Sequence, residues 1–174
     1  LQLLDEVGLD VADSVNSVLA PLFAGRGLEL TDTQALTAAG LRGRRSGAGF
    51  YRYGHDGKTE VNEDVARLLA ASAPRTVKRE YIRERLLFAL VNEAVRAYSE
   101  GVIDSMAAGD AGAVLGCGFP AFLGGPFRFA EDLGLPRALE MLDRLRDAYG
   151  KRFEAAPLLR ELVEQGAGFQ EKAG

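Results

Sequence analysis

The sequence predicts an all-α protein, a helical bundle of two related repeats of which the first is truncated. Apolar residues recur at helical spacing along most of the chain, and the clearest such segment is residues 78–100. Strands that alternate with helices are missing from the pattern, which argues against the α/β classes. The apolar stripe expected on this segment consists of Ile82, Leu86, Leu90 and Ala94, with Leu87, Val91 and Tyr98 beside it.

Two internal similarities predict the duplication. Residues 3–9 match residues 129–135 at an offset of 126, with apolar, acidic, glycine and leucine positions in register. Residues 47–50 match residues 166–169 at an offset of 119, so the second copy has seven fewer residues between its matching segments. Because both similarities occur in the same order, they indicate a repeated helical unit.

The repeat predicts the domain organisation. We expect the second half of the first repeat over residues 1–60, a connecting helix or linker over 61–77, and the complete second repeat over 78–174. The first copy then lacks its front half, so the chain looks like a fragment of a longer protein. A first residue of Leu1 rather than Met agrees with that expectation.

Glycine, proline and capping residues set the expected helix ends. The expected helices span residues 1–7, 10–22, 33–39, 63–72, 78–100, 110–115, 126–133, 136–149 and 157–164. The candidate N-terminal caps are Thr31 or Asp32, Asn62 and Asp110, and the closing glycines are Gly8, Gly40 and Gly101. Residues 50–53 are the most strand-like segment. The face expected to be buried on the second helix consists of Val11, Val15, Val18, Leu19 and Leu22.

Residues 114–135 form a corner rich in glycine and proline between two apolar helices. Phe119, Phe122 and Leu123 are too apolar for an open linker, so we expect this corner to pack against the rest of the protein. Residues 116–121 formally match the G-x-G-x-x-A dinucleotide-binding pattern, but that site requires a preceding strand and a helix is expected here. We therefore interpret the segment as a packing corner.

The overall composition excludes several classes of protein. A formal net charge of −4 and a pI near 5.2 argue against a nucleic-acid-binding protein. No apolar run approaches the roughly 20 residues that a membrane-spanning helix needs. Cys117 is the only cysteine, which excludes an internal disulfide and a cysteine-rich metal site. A cytoplasmic location is the resulting expectation.

Several residues are candidates for chemistry, each with a structural alternative. His55 is the only histidine and would have to perform any imidazole acid–base role, but its glycine-flanked polar turn favours a solvated loop residue. Cys117 lacks a basic neighbour to stabilise a thiolate, so we interpret it as a small buried hydrophobe. Arg42, Arg44 and Arg45 form a basic loop, for which a solvated face is favoured and a phosphate-bearing ligand is the alternative.

Two acidic pairs occur at equivalent positions of the two repeats. They are Asp5–Glu6 and Glu131–Asp132. Because the pairs recur at matching structural positions, we predict a structural role for them, such as charge at helix ends, rather than a catalytic dyad. The chain shows no spacing typical of metal ligands.

Five segments together carry a resemblance to a known family. They are residues 3–10, 43–53, 85–94, 116–120 and 124–126. These segments resemble the C-terminal helical repeats of the 3-hydroxyacyl-CoA dehydrogenase family, most closely the end of the multifunctional fatty-acid β-oxidation α chains. The similarity spans nearly the whole chain.

The resemblance implies that the chemistry lies outside this chain. In that family an upstream Rossmann domain binds NAD and carries a catalytic His–Glu pair, and a catalytic Asn opens the first helical repeat. His55 matches no catalytic position, and Glu84 stands where that Asn would fall in the second repeat. The resemblance thus implies no catalytic, cofactor-binding or metal-binding residue here. It implies substrate contact for Leu115, Gly116 and Phe119, with Leu115 where bacterial α chains carry Tyr.

The implied function is oxidation of a 3-hydroxyacyl-CoA to the 3-ketoacyl-CoA by the full polypeptide, with NAD as cofactor. The helical repeats would form its substrate-side and dimerisation-like part, and the chain alone is expected to be inactive. The implied partners are the acyl-CoA substrate, the upstream Rossmann domain, a thiolase subunit and further copies of the chain, with no nucleic acid and no membrane span. The competing hypothesis is a non-catalytic helical interaction or dimerisation module.

Overall fold

The computed structural model describes residues 1–27, 33–54, 58–69 and 77–169. Helices account for most of these residues, which confirms the all-α prediction. The chain forms two compact units, Leu1–Thr76 and Val77–Gly174. The division lies next to the predicted start of the second repeat at residue 78, and the finer three-part organisation stays a prediction.

The first unit combines short helices with one hairpin. Its helices are α1 (Gln2–Val7), α2 (Leu9–Phe23), α3 (Gln34–Ala38) and α4 (Asp64–Leu68). Its antiparallel strands are β1 (Tyr51–Tyr53) and β2 (Thr59–Val61), which pair Tyr51 with Val61 and Tyr53 with Thr59. The predicted extended segment and the first three predicted helices are therefore confirmed, to within a residue or two at their ends.

The start and end of α4 differ in how well the sequence predicted them. Glu63 occupies the N-cap position, and the predicted cap Asn62 lies one residue earlier, where its Oδ1 accepts a hydrogen bond from the Asp64 N–H at 3.3 Å. The helix ends at Leu68, before the predicted residue 72. The other proposed caps, Thr31 and Asp32, lie outside the described residues.

The predicted buried face of α2 is wrong. The core of the first unit consists of Leu9, Leu36 and Phe50 with partly buried neighbours. Four of the five residues predicted to be buried on α2 are exposed instead, namely Val11, Val15, Val18 and Leu22. Within the described part of the unit, α2 packs on α1 and α3, and the apolar stripe does not face them. Periodicity identified the stripe correctly but not the side that is covered.

Asp5 joins the start of the first unit to its hairpin. Its side chain is only 1% exposed. One carboxylate oxygen accepts the Phe50 N–H at 2.9 Å, and the other accepts the Tyr51 N–H at 2.9 Å and the Tyr53 hydroxyl at 2.8 Å. The carboxylate accepts hydrogen bonds from the Phe50 and Tyr51 N–H groups, which would otherwise be buried without a partner. Its role is therefore structural, as predicted for this acidic position.

We expect Tyr53 to ionise near pH 12. Burial and then the hydrogen bond donated to Asp5 raise the pKa of Tyr53 to about 12. The unfolded pKa is about 10, so the stability that Tyr53 contributes is complete below about pH 10 and is lost as the pH rises toward 12. Ultraviolet titration of tyrosinate should show a transition near pH 12 that disappears in Tyr53→Phe and persists in Tyr51→Phe. Persistence in both variants would contradict the assignment.

The second unit is a bundle of five helices within its described residues. They are α5 (Arg79–Ser99), α6 (Met106–Gly116), α7 (Pro126–Leu133), α8 (Leu135–Tyr149) and α9 (Pro157–Gln165). Helix α5 contacts all four of the others, so it is the central element of the unit. The predicted helices over 78–100, 126–133, 136–149 and 157–164 are confirmed with ends correct to within a residue.

The buried face of α5 is not the one that the apolar stripe predicted. Phe88, Val91, Val95 and Tyr98 are buried, whereas Ile82 and Leu86 are 46% and 62% exposed. Leu90 and Ala94 are half-buried and pack at the edge of the core. Helix α5 therefore carries two apolar faces, and α7, α8 and α9 cover the second. Val91 and Tyr98, predicted to lie beside the stripe, are among the buried residues.

Asp110 caps a different helix from the one predicted. Helix α6 begins at Met106, four residues before Asp110, and Ser105 caps it by accepting the Ala108 N–H at 3.1 Å. The Asp110 carboxylate instead accepts the Phe127 N–H at 2.8 Å and the Arg128 N–H at 3.2 Å, at the start of α7. Burial raises the pKa of Asp110, although these two N–H groups oppose that effect.

The two units repeat one arrangement of helices. Helices α2 and α8 each have 15 residues, and the glycines before them, Gly8 and Gly134, have φ values of 107° and 89°. The bond from the Leu41 N–H to the Leu36 oxygen recurs 126 residues later, from Ala167 to Leu162. The offset of 126 thus persists to Leu41, so the seven extra residues of the first unit are 42–48, the arginine-rich loop. Gly47 and Ala48, matched to 166 and 167 by sequence, therefore belong to the insertion, and the offset of 119 begins at Gly49.

Candidate functional site

The second unit carries a groove of about 780 Å³. Its floor is the N-terminal half of α5, and its wall is the backbone that follows α6. The apolar side chains of the floor are Ile82, Leu86, Leu87 and Leu90, and the wall consists of Cys117, Gly118 and Pro120. The apolar face of α5 that is not buried in the core therefore forms the floor of this groove.

The rim of the groove carries more positive than negative charge. Arg79 and Arg83 lie one helical turn apart beside Ile82 and Leu86, and Glu80 is the acidic residue in the lining. Neither arginine forms an ion pair or side-chain hydrogen bond with another residue of the described ranges. An apolar floor with two available guanidinium groups suits a ligand that has both an apolar chain and anionic oxygens.

A second cavity of about 350 Å³ shares Arg83, Leu87 and Pro120 with the groove. Its remaining apolar lining comes from the corner, α7 and α8. These residues are Phe122, Leu123, Phe129, Leu133 and Met141, together with Phe88 of α5. Because the two spaces share three lining residues, they extend one another along the same face of the unit.

The structure separates the three predicted substrate-binding residues. Leu115 is 87% exposed at the end of α6, and Gly116 beside it is also exposed. Phe119 is 2% exposed and packs edge-on against Phe129, with ring centroids 6.3 Å apart. Leu115 and Gly116 are open to solvent but do not line the groove or the second cavity, whereas Phe119 supports the corner from inside. Their contact with substrate stays a prediction.

Two predictions about the side chains of the corner are wrong. Cys117 is exposed rather than buried, and Phe122 is 88% exposed rather than packed. The chain turns tightly after α6, where the Phe119 N–H bonds to the Ala113 oxygen at 3.0 Å. Phe119 is buried at this turn, whereas Cys117 and Gly118 before it are exposed. Leu123 is partly buried against the core, as predicted.

The formal dinucleotide pattern at residues 116–121 is a packing corner, as interpreted from the sequence. Gly116 is the last residue of α6, so a helix precedes the pattern in place of the required strand. A short 3₁₀ turn, Ala121–Leu123, follows it instead of a long helix. These residues therefore do not fit the pyrophosphate of NAD.

The arginine-rich loop of the first unit is largely neutralised. Arg44 pairs with Glu6, and Arg45 pairs with Asp10 at 2.6 Å. The Arg45 hydrogen bond lowers the pKa of Asp10. Both pairs are solvent-exposed, so the favoured interpretation as a solvated face agrees with the structure.

The remaining candidates provide no further site. His55 lies outside the described residues. In the ranges that are described, no group of three or more His, Cys, Asp or Glu side chains could hold a metal ion. Each helix in those ranges is also too short or too polar to cross a bilayer.

Sequence reasoning missed Arg79 and Arg83. The available signal was their spacing of four residues next to Ile82 and Leu86, which places two charges and two apolar groups on adjacent strips of one helix. The sequence does not show that this apolar strip stays uncovered, so it gives the two neighbouring arginines no evident role.

Comparison with known proteins identifies the family. Residues 81–174 match the C-terminal domain of 3-hydroxyacyl-CoA dehydrogenase. The chain belongs to this family. The matched region is more than half of the chain and contains all of α6–α9 and nearly all of α5, so the resemblance predicted from the sequence is confirmed.

Curated relatives of the whole chain carry the name fatty acid oxidation complex subunit alpha. The protein of Shewanella loihica is 38% identical over 172 residues, which cover 98% of this chain and 24% of the relative. The protein of Vibrio cholerae is 39% identical over 170 residues, which cover 97% of this chain and 23% of the relative. The chain therefore spans about a quarter of the length of these relatives.

Two solved structures share the fold. The dehydrogenase part of multifunctional enzyme 1 from C. elegans has a TM-score of 0.61 and 24% identity, over 92% of this chain and 37% of that one. The 3-hydroxybutyryl-CoA dehydrogenase of Escherichia coli has a TM-score of 0.63 and 23% identity, over 95% of this chain and 51% of that one. At these identities the comparison supports the helical fold of the family.

Proposed function

We propose that this chain is the substrate-side and dimerisation-like helical part of an NAD-dependent 3-hydroxyacyl-CoA dehydrogenase of fatty-acid β-oxidation. The observation that carries the proposal is the match of 97–98% of the chain to subunits named for fatty acid oxidation. The reaction, 3-hydroxyacyl-CoA to 3-ketoacyl-CoA with hydride transfer to NAD, belongs to a longer polypeptide. An upstream Rossmann domain supplies the cofactor site and the catalytic residues.

The groove of the second unit supports a role on the substrate side. Its apolar floor suits a fatty acyl chain, and Arg79 and Arg83 suit the phosphates of coenzyme A. Leu115 and Gly116 border the same loop and are the exposed members of the predicted substrate set. Phe119 contributes by holding that loop against the core. A thiolase subunit is the further protein partner that we propose.

We expect the polypeptide isolated from the source cells to be several times heavier than 18.7 kDa and to reduce NAD with a 3-hydroxyacyl-CoA. The 174-residue chain alone should show no such activity, because the proposed cofactor site and catalytic residues lie elsewhere. Immunodetection of the native polypeptide followed by a spectrophotometric NADH assay provides both measurements. NAD reduction by the 174-residue chain alone would contradict the proposal that the cofactor site and the catalytic residues lie in another part of the polypeptide.

A matched pair of variants tests the groove within the native polypeptide. Replacing Arg79 and Arg83 together by Ala should raise KM for the acyl-CoA by about tenfold with little change in kcat, since uniform binding is lost. Arg152→Ala is the control, because this exposed arginine lies outside the groove and its bond within the described ranges is to the Tyr149 oxygen. If both changes raised KM equally, the groove would not be the site that binds the acyl-CoA.

A helical interaction or dimerisation module is the second candidate function. The observation in its favour is the exposed apolar stripe of α2, formed by Val11, Val15, Val18 and Leu22. Heat-stabilisation of the chain by acetoacetyl-CoA would favour the dehydrogenase role, whereas stability that rises with protein concentration and ignores the ligand would favour the module. A native polypeptide of only 18.7 kDa would also favour the module.

A further inference from the structure

The groove and the second cavity differ in the kind of apolar side chain that lines them. The apolar side chains of the groove floor are aliphatic, and none of the described residues that line the groove is aromatic. The second cavity instead contains three phenylalanine rings, those of Phe88, Phe122 and Phe129. A planar ring system packs favourably against other rings, whereas a methylene chain needs only an aliphatic surface. The two spaces therefore suit different parts of one ligand.

Phe122 presents its ring to solvent from a fixed turn. It is 88% exposed and lies in the short 3₁₀ turn Ala121–Leu123. The Gly124 N–H closes this turn by bonding to the Ala121 oxygen at 3.0 Å. Leu123, the next residue, is partly buried against the core and anchors the turn. An aromatic ring held in this way loses little conformational freedom when a ligand packs on it.

Arg83 lies at the boundary between the two spaces. It lines both of them, together with Leu87 one turn further along α5. The other charged residues of the second cavity, Glu84 and Arg137, are each engaged in an ion pair, with Arg144 and Glu140 respectively. Arg83 forms no ion pair within the described ranges. Its guanidinium group is therefore available to an anionic group of a ligand that occupies both spaces.

We infer that the second cavity binds the adenine base of coenzyme A, stacked on Phe122, while the groove holds the pantetheine and acyl chain. The inference rests on the proposed function, which supplies an acyl-CoA as the ligand. Coenzyme A carries a purine at one end, a flexible chain at the other and a diphosphate between them. The aromatic cavity, Arg83 and the aliphatic groove follow the same order. Stacking on an aromatic side chain suits any base, because every base has a π-face.

The end of an acyl chain is the less favourable occupant of the second cavity. The groove already follows α5 from Arg79 to Leu90, a length of about 16 Å at the rise of an α-helix. A methylene chain that continued into the cavity would pass the charged group of Arg83 and gain no partner for it. With the base in the cavity, the same guanidinium group lies beside the diphosphate.

A single tryptophan tests the stacking. The 174-residue chain contains no tryptophan, so Phe122→Trp places a unique fluorophore on the exposed turn. The second unit has its own core of seventeen buried hydrophobic residues, which this surface change leaves untouched. Coenzyme A should quench the tryptophan emission by stacking, whereas pantetheine, which lacks the adenosine, should not. Unchanged emission at a concentration of coenzyme A that saturates binding in calorimetry would overturn the inference.

Calorimetric affinities of the chain for two ligands locate the base. Phe122→Ala should weaken binding of acetoacetyl-CoA by at least about fivefold and leave binding of acetoacetyl-pantetheine unchanged. Tyr81→Ala is the matched control and should bind both ligands like the parent chain. Tyr81 is also an exposed aromatic residue, at 49%, but it lines neither the groove nor the cavity.

Three calorimetric outcomes would overturn the inference. An equal loss of affinity for both ligands in Phe122→Ala would mean that the cavity takes the acyl end. ADP that binds as tightly as coenzyme A would identify a free nucleotide as the ligand, and a chain that binds no coenzyme A would have no such site. Failure of the proposed function has a separate signature. A native polypeptide that does not reduce NAD with a 3-hydroxyacyl-CoA would refute the activity and leave the measured base site intact.

Discussion

Replacing Asp5 by Ala should lower the free energy of unfolding of the first unit by about 3 kcal/mol. The change removes the acceptor for the Phe50 and Tyr51 N–H groups and for the Tyr53 hydroxyl. Phe50 is one of three buried hydrophobic residues of this core, so loss of its anchoring also loosens the packing. Urea unfolding measures the size of the effect, and faster amide exchange at Phe50 and Tyr51 locates it in this unit.

Glu6→Ala is the control for the Asp5 change. Glu6 is the adjacent acidic residue and pairs with Arg44, but its side chain is 46% exposed. Exposed ion pairs contribute less than about 1 kcal/mol, so the variant should unfold close to the parent protein. A comparable loss in both variants would mean that net charge, rather than the buried hydrogen bonds of Asp5, determines the stability.

Replacing Gly125 by Ala should cost the second unit more than about 3 kcal/mol. Gly125 has φ 126° and ψ 172°, a conformation that side chains of L-residues rarely adopt. A Cβ there would lie 2.4 Å from atoms of the Asp110 side chain. Asp110 would have to move and release the Phe127 and Arg128 N–H groups that it caps. Urea unfolding of the parent and variant proteins, with exchange at those two amides, measures both consequences.

Gly118→Ala is the matched control within the same corner. Gly118 also has a positive φ, 73°, but a Cβ at that position would meet no atom within 4 Å. The expected cost is therefore only the left-handed conformation, about 1 kcal/mol. If both changes cost the same, backbone conformation alone accounts for them and the contact with Asp110 has no separate effect.

The sequence predicted most helix ends correctly because the determinants are local. Gly8 and Gly101 end their helices, and Pro126 opens α7, through interactions within a few residues. The internal repeat was also readable from the chain, since apolar, acidic and glycine positions recur in register. The family followed from the same motifs, and the comparisons confirm it.

The candidate site was only partly predictable. Leu115 and Gly116 were expected near a ligand, and the structure exposes both. Arg79 and Arg83 were missed because the sequence does not show that the apolar residues beside them remain exposed. Only that exposure makes the two arginines part of a groove. Asp110 was assigned to the wrong helix because it accepts hydrogen bonds from N–H groups that lie 17 and 18 residues away in sequence. Capping rules consider only residues within one helical turn.

The sequence by itself determined where helices begin and end, that they are amphipathic, and that the chain contains a duplicated unit of one enzyme family. Only the tertiary structure decided which apolar face is buried. Helix α5 has two such faces, and packing of α7–α9 covers Phe88 and Val95 while it leaves Ile82 and Leu86 to form the groove. The physical reason is that periodicity records the amphipathic character of a helix, whereas burial depends on which distant segments pack against it.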